Sequence, residues 1–370
     1  MLGGGNLRHP LVYQYWFLSN EEISYGKKSK LLEYYGNSYN IFEADKKELL
    51  SSNLLTASEI DAFLEKRSKC DIDRNYDEFL RTGFSYFTKE AEGYPEKLIN
   101  LYDSVYGFYY NGKLPDFKNS VAIVGARRCS AYGKKVAMEL SKRLAQDGYT
   151  IISGMARGID TYAHRGCLDG GGKTVAVLGS GCDVIYPSEN YLLYEEIVKN
   201  GAVISEYQMG TAPIPANFPR RNRIVSALSD IVIVIEAREK SGSLITADLA
   251  LEQGKDIYVV PGRIGDSLSM GCNKLISQGA GIIYSVDSFL QEIGERYGKT
   301  VVNQKPNKIE VKMDPIERKV YGLIDYYPKN LSTLLEETKM DHLALLSTIY
   351  SLEKKELICE VMKNNYVKFK

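Results

Sequence analysis

From Ser120 onward the hydrophobic residues arrive in short, unbroken runs: SVAIVGA, TIISG, TVAVLGSG, AVISEY, IVIVIEA, DIYVVPG and GIIYS. Strands with one wet face alternate apolar and polar positions, whereas strands covered on both faces read as continuous Val/Ile runs. The segments between these runs carry apolar residues at helical spacing. Strand, glycine turn and helix, repeated in this way, predict an α/β domain over residues 116–298. Its expected architecture is an extended Rossmann-like, mostly parallel sheet with helices on both faces.

The flanks follow other patterns. Residues 1–115 are rich in Tyr, Leu, Lys and Glu, and SKLLEYYGNSYNIFEADKKELL and TASEIDAFLEKRSK have the spacing of short helices. They predict a small helical N-terminal domain, similar to a sterile-alpha-motif or helix-hairpin-helix bundle. After the sheet, the polar stretch KTVVNQKPNKIEVKMDP, with its two prolines, predicts a linker over 299–312. Three helical segments then precede LICEVMKNNYVKF, which reads as a hairpin turning at Lys363, Asn364 and Asn365. That order suggests a winged-helix domain over 313–370.

Charge and composition narrow the chemistry. Lys plus Arg and Asp plus Glu are equal at 47 each in 370 residues, so any anion site must come from local clustering. The six cysteines are scattered, with neither a Cys-x-x-Cys pair nor a neighbouring His, and read as reduced core thiols with no metal site. The N-terminal stretch is too weakly apolar for a signal peptide, and no run reaches the length of a membrane span. These features lead us to expect a cytoplasmic protein without a membrane partner.

The glycine turns sort the candidate sites. VAIVGARRCSAYG runs from strand to helix where a dinucleotide fingerprint belongs, yet Ala126, Arg127 and Arg128 follow Gly125 where a second glycine is required. The next strand ends in IISGMARG without a ribose-binding carboxylate, which argues against NAD. GGGKT at 170–174 ends like a phosphate loop but precedes its strand, and reads as a tight turn. What remains is a set of strand ends carrying small or basic residues: Gly125 and Arg127, Ser153 to Gly158, Gly179 and Gly181, and Ser241-Gly242-Ser243. Ligands of open α/β sheets bind beyond these ends. Glycine turns admit backbone amides to a phosphate, and arginine forks suit its oxygens. Arg127, Arg221 and Arg223 are therefore expected around one mouth that meets a polyanion, where their removal leaves stability nearly unchanged.

The blocks AIVGARRCSAYG, SGMARGIDTYAHRGCL, VAVLGSGCDVIYPSEN, ISEYQMGTAPIPANFPRRNRIVSAL, IVIEAREKSGSLITADLALEQG, IYVVPG and GCNKLISQGA follow in order through the central domain. Together they resemble the DNA-processing protein A (Smf) family. The resemblance implies a homodimer that binds single-stranded DNA, protects incoming strands and loads a RecA-type recombinase during natural transformation and DNA recombination. Position by position, it implies phosphate contacts from Arg127, Arg221 and Arg223. Backbone amides around Gly154, Gly158, Ser241, Gly242 and Ser243 would complete the cradle, with a stacking face on Phe218. Asn222 is expected at a base edge or as a cap, and Asp160 as a helix cap. The family's Gly-Ser-Arg turn reads Gly125-Ala126-Arg127 here, so one hydroxyl contact is lost.

An enzyme is the rival class. SGSLITA loosely resembles the phosphate loop of lysine-decarboxylase-like phosphoribohydrolases, but their Pro-Gly-Gly-x-Gly-Thr loop is lacking. The histidines are His9, His164 and His342, and no Ser or Cys stands beside an evident base. We therefore expect no catalytic residues and no cofactor. Glu206 and Glu236, each at a strand end, are expected to orient the arginines. Asp341 opens the third helix of the last domain and Lys354 and Lys355 close it, a pattern suited to protein contact more than to a DNA groove.

Overall fold

The structure, a computed structural model, describes residues 9–297 and 313–368, and the expected linker at 299–312 lies outside the described residues. All seven apolar runs form strands. Preceded by β1 (Ser85–Thr88) and β2 (Gly107–Gly112), they are β3 (Ser120–Gly125), β4 (Thr150–Ser153), β5 (Thr174–Val177), β6 (Gly201–Ser205), β7 (Ile231–Ile235), β8 (Asp256–Val259) and β9 (Gly281–Ile282). They make one sheet in the order β1-β2-β6-β5-β4-β3-β7-β8-β9. The strands from β6 to β9 are parallel. The fold is thus the mostly parallel, Rossmann-like α/β sheet that the hydrophobic runs predict.

Burial on both faces explains the unbroken runs. Val121 and Ile123 of β3 enter a core with Leu140 and Leu144 of the helix Ala131–Gln146 and Ala163 of Ile159–Asp169. Their neighbours Ala122 and Val124 point the other way, onto Ile224 and Leu228 of the helix Asn217–Leu228 and Ala247 of Gly242–Glu252. Chain order runs from β3 outward to β6, then returns to place β7 on the other side of β3. The carboxyl ends of β4, β3 and β7 therefore flank the reversal, where sheets of this type bind ligands.

Two strands lie where only helices were expected. β2 pairs antiparallel with β6, Tyr109 opposite Ser205, and β1 pairs with β2. Before them, helices cover most of residues 10–81. Two begin at capping boxes, Asp45 with Glu48 and Thr56 with Glu59. Trp16, Phe17 and Phe63 of this bundle share a core with Tyr106 and with Tyr109 of β2, which joins the bundle to the sheet edge.

At the C-terminus, helices Pro315–Leu323, Leu331–Thr338 and His342–Lys354 enclose a core of Val320, Leu334, Leu345 and Leu352. They accompany a small sheet in the order β10-β12-β11, with β10 Lys329–Asn330, β11 Ile358–Met362 and β12 Asn365–Lys368. The hairpin turns at Lys363–Asn364, where Asn364 has φ of 58°. This unit touches the sheet domain through two tyrosines: Lys135 lies 4.6 Å from the Tyr326 ring centre and Arg263 lies 3.7 Å from that of Tyr327. Cys167, Cys182 and Cys272 are core residues as expected, but Cys70, Cys129 and Cys359 are only half-buried. Among the described residues no helix is long and apolar enough to cross a membrane.

Candidate nucleic-acid interface

The helix Asn217–Leu228 carries all three arginines of FPRRNR, and helical geometry separates them. Each residue advances by about 100°, so positions 220 and 223 share a face and 221 points elsewhere. Arg221 is driven inward, 4% exposed, and donates from Nη1 to the Gly154 carbonyl at 2.8 Å and to the Val177 carbonyl. It thereby ties together the ends of β4 and β5. Its guanidinium fills the space a side chain at Gly154 would need, with Nη2 only 2.5 Å from an added Cβ. Burial lowers its pKa to about 10, so it remains a cation at neutral pH. Asp160 also faces this floor, and its Oδ2 accepts from the amides of Gly154 at 3.1 Å and Ala156 at 3.3 Å. Burial pushes the Asp160 carboxyl up to about 6, against the pull of Arg221 and the two amides. It braces the turn after β4 instead of capping the helix, whose N-cap is Gly158.

Arg223 stands apart from this floor. Its Nη2 donates to both oxygens of Glu206, at 2.8 and 2.9 Å, and its Nε donates to Asp103 at 3.1 Å. Arg220 lies 4.6 Å from the ring centre of Tyr25 in the N-terminal bundle and 3.6 Å from Asp103. One helical face thus links bundle and sheet, and Glu206 does orient an arginine. The expectation that the cluster is dispensable for stability is corrected for Arg221 and Arg223: both are buried and hold backbone or carboxylate partners.

Glu236 is corrected too, because its partners are not arginines. It follows β7 directly, in the left-handed region at φ 54°, and accepts from the Ser130 amide at 2.8 Å and from the Ser130 hydroxyl. Its carboxylate therefore occupies the N-terminus of the helix Ala131–Gln146.

What remains at the carboxyl ends is an open mouth of about 650 Å³. Arg127, Phe218, Arg221, Asn222, Ser241, Gly242 and Ser243 all line it. Its wall also includes Arg128, Arg238 and Lys240, giving five basic side chains against the single carboxylate of Asp160. Local clustering thus makes the mouth cationic in a chain of zero net charge. The Phe218 ring sits over Gly179, whose added Cβ would lie 2.9 Å from Cδ1. The Arg127 guanidinium is 5.3 Å from the ring centre, and Tyr186 is 5.7 Å from it at a 38° tilt. Opposite, the helix Gly242–Glu252 presents its N-terminus, capped by the neutral Ser241, which contacts Ser243 Oγ at 2.8 Å. Asn222 bridges the two walls by accepting from Arg221 Nε at 3.2 Å and donating to the Gly242 carbonyl at 3.4 Å.

Gly154 and Gly158 do not line the mouth. Gly158, at φ 76°, lets the turn after β4 pass against the turn after β3, where an added Cβ would meet the Ala126 carbonyl at 2.2 Å. Of the residues that sequence reasoning missed, Arg128 and Lys240 adjoin predicted ones, which was a usable signal. Tyr186 carried none, since tertiary folding alone brings the loop after β5 to Phe218, whereas Arg238, a basic residue just past the end of β7, met the strand-end criterion and was passed over.

Fold and site together define a Rossmann-like α/β protein whose sheet reversal opens into a basic mouth fitted with aromatic rings. The chain belongs to the DNA recombination-mediator protein A family, whose model matches residues 85–294. That membership places it in DNA processing during recombination. It is 41% identical over 231 residues to the DNA processing protein DprA of Streptococcus pneumoniae, covering 62% of this chain and 81% of that protein. Against DprA of Bacillus subtilis the identity is 36% over 264 residues, covering 69% and 89%. The crystal structure of the pneumococcal protein superposes with a TM-score of 0.64 at 34% identity, over 76% of this chain and 97% of that one. The Helicobacter pylori protein, whose structure describes its single-stranded DNA binding mode, superposes with a TM-score of 0.53 at 33% identity, over 58% and 97%.

Proposed function

We propose that the chain binds single-stranded DNA at the Arg127–Phe218–Ser241 mouth, without enzymatic turnover, and hands the strand to a RecA-type recombinase. The observation that carries this reading is one opening holding aromatic rings at Phe218 and Tyr186, an exposed cation at Arg127, and the N-terminus of the helix Gly242–Glu252. Stacking on rings is blind to base identity and requires unpaired bases. Arginine forks and helix-terminal amides take phosphates of any sequence. A duplex keeps its base faces covered, so only its backbone could use the site.

Protection of incoming strands and recombinase loading in natural transformation, a homodimeric state and a cytoplasmic site belong to the same reading. They rest on the family resemblance. The N-terminal bundle serves as a scaffold packed on the sheet, and the C-terminal unit serves as a winged-helix module for protein contact. The exposed Leu343 and Tyr350 on its third helix suit such a contact.

Competition between single- and double-stranded oligonucleotides across a salt series tests the proposal. Single strands should win with little sequence preference, and log affinity should fall with log salt by about 0.7 per phosphate contacted. Equal affinity for duplex, or base release from nucleoside monophosphates, would refute it.

A further inference from the structure

In a doubly wound fold, the helix after the first parallel strand normally receives a pyrophosphate at its N-terminus. Here that position belongs to the turn from β3 into the helix Ala131–Gln146, and Glu236 reaches it from the end of β7. Three independent features converge on this placement. Glu236 adopts φ of 54°, a conformation that non-glycine residues hold only when their surroundings enforce it. The Ser130 amide and hydroxyl both donate to its carboxylate. Position 133 is glycine, and an added Cβ there would lie 2.4 Å from Glu236 Oε2. An anion is therefore already bound at the helix terminus, supplied by the chain itself.

We infer that Glu236 is a specificity-determining residue: an internal phosphate mimic that closes the turn after β3 to mononucleotides, dinucleotides and free pyrophosphate. A small phosphate ligand entering this turn would find the Ser130 amide and hydroxyl already donating to Glu236, the Gly133 amide donating to Ser130 Oγ at 3.1 Å, and a carboxylate in its way. The neighbouring terminus at Gly242 has only the neutral Ser241 as its cap and stays open. The chain thus forgoes the short-range pyrophosphate cradle of its fold and keeps an anion site one strand away, facing Phe218. This goes beyond single-strand binding and does not depend on it, since it concerns the Ser130 donors at the start of the helix Ala131–Gln146, which do not line the Phe218 mouth as Arg127 does.

The test is calorimetric titration of the full chain with inorganic pyrophosphate and with ADP, comparing wild type with Glu236→Ala and Glu236→Ser. Both substitutions free the Ser130 donors, and the serine keeps a small polar group against them should the alanine variant unfold. Gain of pyrophosphate and ADP binding by at least tenfold over wild type is expected in whichever variant melts cooperatively. Glu236→Gln retains the bulk and an acceptor oxygen, so it should gain far less. A folded Ala or Ser variant that binds no better than wild type would overturn the inference. So would wild-type protein whose pyrophosphate affinity already matches the variants. Oligonucleotide affinity, measured in parallel, should change less than pyrophosphate affinity, which separates this site from the Phe218 mouth.

Discussion

Arg127 and Arg221 sit on one mouth and should fail in opposite ways when truncated. In Arg221→Ala, the carbonyls of Gly154 and Val177 lose a buried donor, and an unmet buried acceptor costs about 1–3 kcal/mol. Asp160, 7% exposed, also loses the cation that offsets its burial. Breaking one side of a buried charged arrangement costs about 3–5 kcal/mol, and we expect a total in that range. Domain stabilities are only about 5–15 kcal/mol, so the effect should be large in a urea titration followed by circular dichroism. Arg127 is exposed and lies over the Phe218 ring, so Arg127→Ala should unfold like wild type. It should instead weaken oligonucleotide binding and make the salt slope shallower by about 0.7. If Arg221→Ala unfolds at the wild-type midpoint but loses salt-dependent binding, its guanidinium faces the ligand and our account of the floor is wrong.

Phe218→Ala should reduce oligonucleotide affinity by about 1–3 kcal/mol while leaving the salt slope unchanged, because stacking releases no counterions; a changed slope would point to a phosphate role. Arg223→Ala strands Glu206, itself 2% exposed, and should destabilise by about 3–5 kcal/mol in the same urea assay, whereas a neutral outcome would mean that Arg220 takes over the carboxylate. Lys28 is buried, with Nζ donating to the Leu18 carbonyl at 2.6 Å, and burial lowers its pKa to about 7. Between about pH 7 and 10 the unfolded chain keeps a proton that the folded chain has released, so stability should climb with pH in that window, and Lys28→Met should abolish that climb. Parallel stability curves for the two proteins would refute the assignment.

The parallel core was legible because its strands are buried on both faces, and burial writes itself into sequence as unbroken Val/Ile runs. β1 and β2 were not legible: SYFT and GFYYNG are short, aromatic and antiparallel, and the β6 partner of β2 lies some ninety residues on. The mouth was half legible. Glycines and basic residues at strand ends marked its place, but composition cannot say which way a side chain leaves a helix. Arg221 and Arg223 are two residues apart, yet one braces the floor and the other bonds to Glu206. Only the angular phase of their helix against the sheet decides this, and that phase is set by Ile224, Val225 and Leu228 packing in the core.

On the proposed reading, the Arg221 brace also bears on how cheaply a strand is captured. Arg221 holds the Gly154 and Val177 carbonyls and Asp160 holds the Gly154 amide, so the floor of the mouth is braced by the protein's own contacts. Association then costs the polymer its freedom but asks little reorganisation of the protein. A receptor braced in this way should take successive nucleotides without rebuilding its floor.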